Sequence, residues 1–477
     1  MVKIRGEDLM LFSSVTFIFY FLPITVGCYY LVTSKIKNYC LLLFSIVFYA
    51  WGEPLYIILM LLSIAITYIF GCYISKYHEQ FRGKLALVLT ILINIGLLGF
   101  FKYTNFIIEN VNKVMSLELK QMNIRLPLGI SFYTFQLLSY VIDLYRGKIK
   151  RANNIFIFAT YVTFFPQLIA GPIVRFSDVV CQLKDRTHTF VKVEAGLRRF
   201  IVGLCKKVLL ANQLGEFCQV YSISEHKSYL FLVMSSIAFT MQIYYDFSGY
   251  SDMAIGLAKI FGFEISENFD YPFMAHSITE FWRKWHISLT TWFRDYVYIP
   301  LGGNRCHKIK AIRNLIIVWI MTGLWHGPKW SFVVWGFYFG IVIMVEKSFS
   351  IVNCNYKLLY LRKIYVYVMV VIGFVVFRSE TLKQGFYEVK ELFGFGNLIF
   401  LNDVTVYYLK SYFVVLLCAF LGLNSYIKDF YIVFQKRMNQ RWLKYGYVEG
   451  VFLLFMFTVI TGYLIDSSYN PFLYFRF

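Results

Sequence analysis

Apolar segments long enough to cross a lipid bilayer recur along almost the whole chain. A hydrocarbon core of ~30 Å is spanned by ~20 residues of α-helix, and lipid excludes irregular backbone. The sequence therefore predicts an all-α polytopic integral membrane protein with about a dozen transmembrane or re-entrant helices. Several segments contain Pro or Gly, so we expect some helices to be broken and buried within the protein. The predicted segments are 11–33, 39–51, 54–75, 85–101, 128–145, 155–174, 196–213, 228–246, 311–325, 329–346, 364–378, 404–423 and 447–465.

The charged residues fit the same class of protein. Only 16% of the 477 residues are charged, and the formal net charge is +20, whereas soluble domains are about 25% charged. The basic residues lie in short loops, an arrangement typical of cytoplasmic loops between membrane helices. No soluble segment remains that could hold a nucleic-acid-binding module, so we predict a lipid bilayer and not a nucleic acid as the partner. The basic loops carry Lys35 and Lys37; Lys76, Arg82 and Lys84; Arg146, Lys148, Lys150 and Arg151; Arg305, Lys308, Lys310 and Arg313.

The segment 276–305 is amphipathic and too charged to span a membrane. Ser277 and Glu280 have the spacing of a capping box, which predicts that a helix begins directly after Ser277. Apolar residues then recur at helical spacing as far as Tyr296, which predicts five continuous turns lying along a membrane interface or against the protein itself. His286 lies at the edge of the apolar stripe. By pattern alone, it could simply bond a backbone carbonyl at the membrane surface.

A second histidine, His326, lies within the stretch TGLWHGPKW at 322–330. The segment 311–346 is apolar on both sides of the ring, and an ionisable group within the bilayer indicates a functional site. Gly327 and Pro328 break the helix just after the ring, so we expect the histidine to line a cavity. The alternative is a neutral histidine that only links two helices.

Other polar features give weaker predictions. The nine cysteines form no C-x-x-C pair, so the sequence predicts neither a metal site nor a disulfide framework. The polar stretch 246–252 contains Asp246 and Asp252 and has the residues of a helix break. A structural role in backbone bonding and a place on a tunnel wall both remain open for these carboxylates.

Eight motifs are spread from residue 10 to the last residue. They are MLFSS at 10–14, FYAWGEP at 48–54, LGISFYTFQLLSYVIDLYRG at 128–147, FFPQLIAGPIVRF at 164–176, YYDFSGYSDMAIG at 244–256, SITEFWRKWHISLTTWFRDYVYIPLGGNR at 277–305, TGLWHG at 322–327 and PFLYFRF at 471–477. Through them the chain resembles the membrane-bound O-acyltransferase family, specifically its bacterial branch that acetylates alginate, peptidoglycan and other envelope polysaccharides. We therefore expect one domain over 10–477. Residues 1–9 are expected to be a dispensable extension, with Met10 able to serve as the start.

The resemblance implies a fold and a set of site residues. Family members form a ring of transmembrane helices around a thinned centre, where a cytoplasmic tunnel meets an outer funnel. His326 stands where the family has its catalytic histidine, and His286 where it has a second histidine or another polar residue. In the aromatic motif 471–477, Tyr474 occupies the position of a tyrosine proposed to accept the acyl group and pass it to an extracytoplasmic partner transferase.

The predicted function is O-acetylation of a cell-envelope or exported polysaccharide by a multi-pass protein of the bacterial cytoplasmic membrane. The donor implied is cytoplasmic acetyl-CoA, acting as a co-substrate, with no tightly bound cofactor. A neutral imidazole suits this reaction because it can take the proton of an attacking hydroxyl. Two alternatives remain open: D-alanyl transfer to teichoic acid by the same fold, and a transporter or flippase without acyl-transfer chemistry.

Overall fold

A computed structural model of the chain describes residues 10–348, 359–426, 428–430, 433 and 442–466. These residues form helices and connecting loops, with no β-strand among them, which confirms the all-helical class. Residues 1–9, Tyr474 and the motif 471–477 lie outside the described residues. Contacts between Cα atoms divide the chain into two compact units, one formed by residues 1–200 and 253–266 and the other by 201–252 and 267–477.

The first unit is built from helices in the first 200 residues. They are α1 (Leu22–Leu31, preceded by a π-helical turn at Phe17–Phe21), α2 (Lys37–Gly52), α3 (Tyr56–Lys76), α4 (Phe81–Met115), α5 (Ile130–Tyr145), α6 (Ile155–Thr163), α7 (Phe165–Leu168), α8 (Phe176–Lys184) and α9 (Phe190–Cys205). The last of these ends five residues beyond the boundary of the unit.

The second unit contains the remaining helices. They are α10 (Gln213–Ile223), α11 (Tyr229–Ile260, whose last residues belong to the first unit), α12 (Ile278–Lys284), α13 (Ile287–Phe293), α14 (Lys308–His326), α15 (Trp330–Ser348), α16 (Leu359–Arg378), α17 (Leu382–Leu392), α18 (Asp403–Ser411), α19 (Phe413–Gly422) and α20 (Trp442–Asp466). Two π-helical turns, Lys206–Asn212 and Arg294–Tyr298, also lie in this unit.

Six of the described helices are long and apolar enough to cross a membrane: α3, α4, α11, α15, α16 and, from Tyr447 onward, α20. A seventh candidate is the pair α18 and α19, which is bent by 60°. The protein is therefore multi-pass, but the predicted number of about a dozen spans is not confirmed. The difference arises because apolar segments such as those of α2 and α5 form helices of only 16 residues, shorter than a clean span needs.

The predicted segment 155–174 is broken and buried, as expected from its proline. Helices α6 and α7 meet at a non-helical residue, and the freed backbone groups find side-chain partners. The backbone N–H of Phe165 donates to the hydroxyl of Ser45 at 3.1 Å, and the amide of Gln167 donates to the carbonyl of Tyr161 at 2.8 Å. These bonds allow an irregular backbone to lie inside the protein without unpaired groups at those positions.

The stretch 246–252 does not break a helix, contrary to the prediction from its turn-forming residues. It lies inside the continuous helix α11, where its carboxylates form ion pairs. Asp246 meets Lys207 at 2.6 Å with both side chains buried, and Asp252 meets Lys206 at 2.6 Å. Pairing with lysine satisfies the carboxylates, so they do not compete for the helix backbone.

The core of the second unit is aromatic and centres on α12. The indole of Trp282 packs at 5.0 Å from Trp319, 5.4 Å from Trp335 and 4.8 Å from Phe339, measured between ring centroids. The planes of these ring pairs cross at 68°, 85° and 78°, close to the edge-to-face arrangement that aromatic rings prefer. The tryptophans of the segment 276–305 are buried in the protein: Trp282, Trp285 and Trp292.

Candidate functional site

A cavity of about 550 Å³ in the second unit brings the two predicted histidines together. This volume lies within the range of ~300–1,000 Å³ that small-molecule sites occupy. His286 and His326 both line its wall, as do Trp282, Trp285 and Trp319. Although 40 residues apart in sequence, the histidines therefore line the same cavity.

One face of α14 forms a wall of the cavity along more than two helical turns. The lining residues are Leu315, Val318, Trp319, Thr322 and His326, which recur at the spacing of three and four that places side chains on one helix face. Because an α-helix rises 1.5 Å per residue, the lined face is about 16 Å long. The cavity thus extends along α14 from Leu315, near the helix's basic start, to His326 at its end.

His326 is the last residue of α14, which confirms that the helix ends at the Gly-Pro step. Its imidazole packs edge-to-face against the rings of Trp335, at 5.1 Å, and Phe377, at 5.3 Å. Gly327 is required here because a Cβ atom at this position would lie 2.4 Å from the ring of Phe332. The aromatic rings hold the imidazole in place while leaving it partly exposed at the cavity wall.

The predicted five-turn helix in 276–305 is wrong, because the helix breaks at His286. Helix α12 ends at Lys284, and α13 begins at Ile287. Between them, His286 adopts the left-handed conformation, with φ of 46°. A left-handed non-glycine residue costs roughly 1–2 kcal/mol, and such strain is concentrated at functional sites. The apolar periodicity misled the prediction because both short helices contribute to one buried face.

The predicted capping box at the start of α12 is partly confirmed. The hydroxyl of Ser277 accepts a hydrogen bond from the backbone N–H of Glu280 at 3.0 Å. The carboxylate of Glu280 accepts its reciprocal bond from the backbone of His276 and not from that of Ser277. The helix begins at Ile278, as predicted.

His286 is 2% exposed and bonds a side chain, whereas the sequence had allowed a carbonyl bond at the membrane surface. Its Nδ1 lies 3.1 Å from Oδ1 of Asn268, which is fully buried. The rings of Phe247 and Trp325 pack against the imidazole with centroid distances of 4.6 and 5.8 Å. Burial and the neighbouring His326 hold the pKa of His286 well below its ordinary value, so this imidazole is neutral at physiological pH.

A buried carboxylate fixes the start of α12. Glu346, on α15, accepts hydrogen bonds from the backbone N–H groups of Ile278 at 2.6 Å and Thr279 at 2.8 Å, and from the Thr279 hydroxyl at 2.7 Å. A carboxylate at a helix N-terminus is stabilised by the helix dipole as well as by these bonds. Glu346 thereby ties α15 to the helix that leads into His286.

The described lining of the cavity carries three cations and no carboxylate. Arg283, Arg294 and Lys347 contribute to the wall. Arg294 also pairs with its neighbour Asp295 at 2.8 Å, with its own side chain more than half exposed. A cavity with this charge favours an anionic ligand.

Two of the cavity residues, His286 and His326, were predicted from the sequence as catalytic candidates, and the structure places both at the cavity. Asn268 and Glu346 were missed. Glu346 could have been found, since a lone acid at the end of an apolar segment is itself a signal of function. Asn268 could not, because no spacing rule connects it with a histidine 18 residues later.

The family model for membrane-bound O-acyltransferases matches residues 148–382, which include both histidines. Among similar proteins, a probable alginate O-acetylase from Pseudomonas aeruginosa is 39% identical, over 87% of this chain and 82% of its own length. The peptidoglycan O-acetyltransferase of Helicobacter pylori is 32% identical, over 86% of this chain and 84% of its own. The teichoic acid D-alanyltransferase of Bacillus subtilis is 28% identical, over 48% of this chain and 61% of its own.

Proposed function

Because the chain belongs to the membrane-bound O-acyltransferase family, we propose that it acetylates hydroxyl groups of a cell-envelope polysaccharide, with cytoplasmic acetyl-CoA as the donor. The chain is an acyltransferase and a multi-pass membrane protein. Its placement in the bacterial cytoplasmic membrane is part of the proposal. The relatives that match over most of the chain are named for acetyl transfer to alginate and to peptidoglycan, which favours a polysaccharide acceptor.

The observation that carries the proposal is the single cavity lined by His326, His286 and one face of α14. The basic stretch 305–313 runs into the first turns of α14 and by the positive-inside pattern lies at the cytoplasmic face. The cavity wall on α14 would then extend about 16 Å from Leu315, near this cytoplasmic end, to His326. A donor entering there would place its acyl group beside His326, with its charged part near the cytoplasm.

The three cations of the cavity wall support acetyl-CoA as that donor. Coenzyme A carries phosphate groups at one end and the thioester at the other. Arg283, Arg294 and Lys347 offer charge-assisted hydrogen bonds that phosphate groups accept. The apolar residues of the same cavity wall suit the uncharged arm of the donor.

In the proposed reaction, His326 acts as the general base. A hydroxyl oxygen attacks the carbonyl carbon of the thioester, His326 takes the hydroxyl proton, and the carbon–sulfur bond breaks as the ester forms. The proton then passes from His326 to the departing thiolate, which leaves as the thiol. A positioned base contributes about 10²–10⁴-fold to such a step.

We further propose that the first acceptor is Tyr474, in the C-terminal motif 471–477. Its phenol would be acetylated with release of the thiol, and a polysaccharide hydroxyl would then attack the phenol ester, regenerating Tyr474. A phenolate with an ordinary pKa of ~10 is a good enough leaving group for the second transfer. An extracytoplasmic partner transferase would catalyse that second step.

The test is the alkali-labile ester content of purified envelope polysaccharides, with the released acid identified. Cells carrying wild type, His326→Ala and His78→Ala are compared at matched abundance of the protein in the membrane. His78 is the control because it is half-exposed and lies in the first unit. We expect acetate to be lost from one polymer with His326→Ala alone. Release of D-alanine in place of acetate would favour teichoic acid, and unchanged esters would overturn the proposal and favour transport.

A further inference from the structure

Asn268 holds the break between α12 and α13 from outside both helices. Its backbone carbonyl accepts a hydrogen bond from the N–H of Ile287 at 2.9 Å. Its side-chain Oδ1 accepts from the N–H of Ser288 at 3.3 Å and from the Ser288 hydroxyl at 2.9 Å. The first two N–H groups of α13 are therefore capped by one residue that is distant in sequence.

These bonds determine which way the amide of Asn268 points. A backbone N–H can only donate, so the atom that faces Ser288 is the amide oxygen. The amide nitrogen points the other way and donates to the hydroxyl of Ser251 at 3.1 Å. The same oxygen lies 3.1 Å from Nδ1 of His286. Since an amide oxygen cannot donate, Nδ1 of His286 must carry the hydrogen.

A neutral imidazole has one hydrogen, so a hydrogen on Nδ1 leaves the lone pair on Nε2. His286 is buried beside His326 on the same cavity wall and is neutral at physiological pH. When His326 takes a proton from the attacking hydroxyl, it becomes a cation in a place of low polarity. A neighbouring nitrogen lone pair stabilises that cation, whereas a second N–H donor or a second cation would oppose it.

We propose that Asn268 is a positioning residue that locks His286 as the Nδ1–H tautomer, so that His286 serves the reaction as a hydrogen-bond acceptor beside His326. This inference rests on the proposed acetyl transfer and assigns a role within it. Asn268 acts through His286 and does not itself touch substrate. The strained left-handed backbone of His286 is maintained because Asn268 holds both its ring and the two residues that follow.

Charged and titratable groups near His286 lie on α11, beside Asn268 and on the cavity wall. On α11, Asp246 and Asp252 form ion pairs with Lys207 and Lys206, and the two acids near Asn268 in sequence, Glu267 and Asp270, are exposed. The groups on the cavity wall are Arg283, Arg294, Tyr298, His326 and Lys347.

The test uses Asn268→Asp, because aspartate caps a helix as well as asparagine does and can still accept from Nδ1. A carboxylate beside an imidazole raises the pKa of the imidazole by about 1–3 units. The pKa of His286 would then rise from its depressed value, and wherever the ring is protonated Nε2 becomes a donor. We expect kcat of Asn268→Asp to fall toward pH 5.5 more steeply than that of wild type and to recover at high pH, with the acid limb of kcat moved up by about 1–3 pH units.

Two further variants separate positioning from folding. Asn268→Ala removes the acceptor, so the tautomer is no longer fixed; kcat should fall by about 10²-fold, with the KM for acetyl-CoA unchanged. Ser251→Ala removes the partner of the amide nitrogen but keeps the oxygen, so it should keep the wild-type pH profile even if its melting temperature drops. Rates are measured with purified protein in proteoliposomes, from pH 5.5 to 8.5.

The outcomes distinguish this inference from the proposed function. If wild-type protein transfers acetyl and Asn268→Asp keeps the wild-type kcat and acid limb, the role of Asn268 in fixing the tautomer is overturned. That role is equally overturned if Ser251→Ala shifts the acid limb as Asn268→Asp does, because the effect would then be structural. If wild-type protein transfers no acetyl group, the proposed function itself fails.

Discussion

A single methyl group at Gly336 should separate the helices that form the cavity wall. In the hairpin of α14 and α15, a Cβ atom at Gly336 would lie 2.2 Å from the carbonyl oxygen of Trp319. Ordinary contact begins at 3.4 Å, so the backbones must move apart by about 1.2 Å. Close approach of membrane helices through small residues is a common way for them to pack. Because Trp319 lies two turns before His326 on the cavity face, Gly336→Ala should displace the imidazole.

The expected size of the effect follows from that displacement. A 1 Å misplacement of a reacting group costs about 10²-fold in rate, and overpacking costs about 1–3 kcal/mol of stability. Alanine offsets up to about 1 kcal/mol of the lost stability through its higher helix propensity. The rate should therefore fall by about 10²-fold while most of the stability is kept. The assay is the initial rate of ester formation from acetyl-CoA in proteoliposomes, alongside the melting temperature in detergent.

The matched control is Gly99→Ala in α4, where a Cβ atom would meet nothing within 4 Å. Gly99→Ala gains the same helix propensity without a clash, so it should keep the wild-type rate and melt no lower than wild type. Equal rates for Gly336→Ala and Gly99→Ala would contradict this expectation, since they would show that the hairpin can open by an ångström without moving the histidine.

Three further results are expected. Glu346→Gln places an amide donor against the backbone N–H groups from which Glu346 now accepts hydrogen bonds, so both kcat and the melting temperature should fall. Glu346→Asp keeps a carboxylate and should restore part of each. An unchanged kcat in Glu346→Gln would show that α12 needs no anchor. Lys207→Ala removes the cation that pairs with the buried carboxylate of Asp246, which costs about 3–5 kcal/mol. The single variant should therefore have a lower melting temperature than the double variant Lys207→Ala, Asp246→Ala. A lower melting temperature for the double variant would contradict a buried ion pair. Thr322→Trp fills the cavity one turn before His326, so it should raise the KM for acetyl-CoA or stop turnover with little change in melting temperature; an unaffected KM would place the donor elsewhere.

The sequence predicted the helical class and the ends of many helices because apolar length and Pro or Gly breaks act locally. The end of α14 at His326 and the break between α6 and α7 are of this kind. The number of spans could not be settled from composition, because an apolar segment buried among other helices has the same composition as one facing lipid. Hydropathy measures the transfer of a segment from water and does not tell protein neighbours from lipid.

The site was only partly predictable because its geometry depends on contacts between distant residues. A histidine between apolar segments indicated His326 directly. The break at His286 could not be read from the sequence, since the periodicity of 276–305 continues through it. What ends the helix there is the set of bonds from Asn268, and no local pattern predicts a cap supplied from 18 residues away.

The most direct test of acetyl transfer through this cavity uses inverted membrane vesicles, whose cytoplasmic face is exposed to the medium. Acetyl-labelled acetyl-CoA is added outside, and alkali-releasable label is measured in polysaccharide enclosed in the lumen. We expect label in the enclosed polymer with wild-type protein, none with His326→Ala, and a wild-type amount with His78→Ala. Equal labelling with wild type and His326→Ala, at equal protein abundance, would show that acetyl groups do not cross through this cavity.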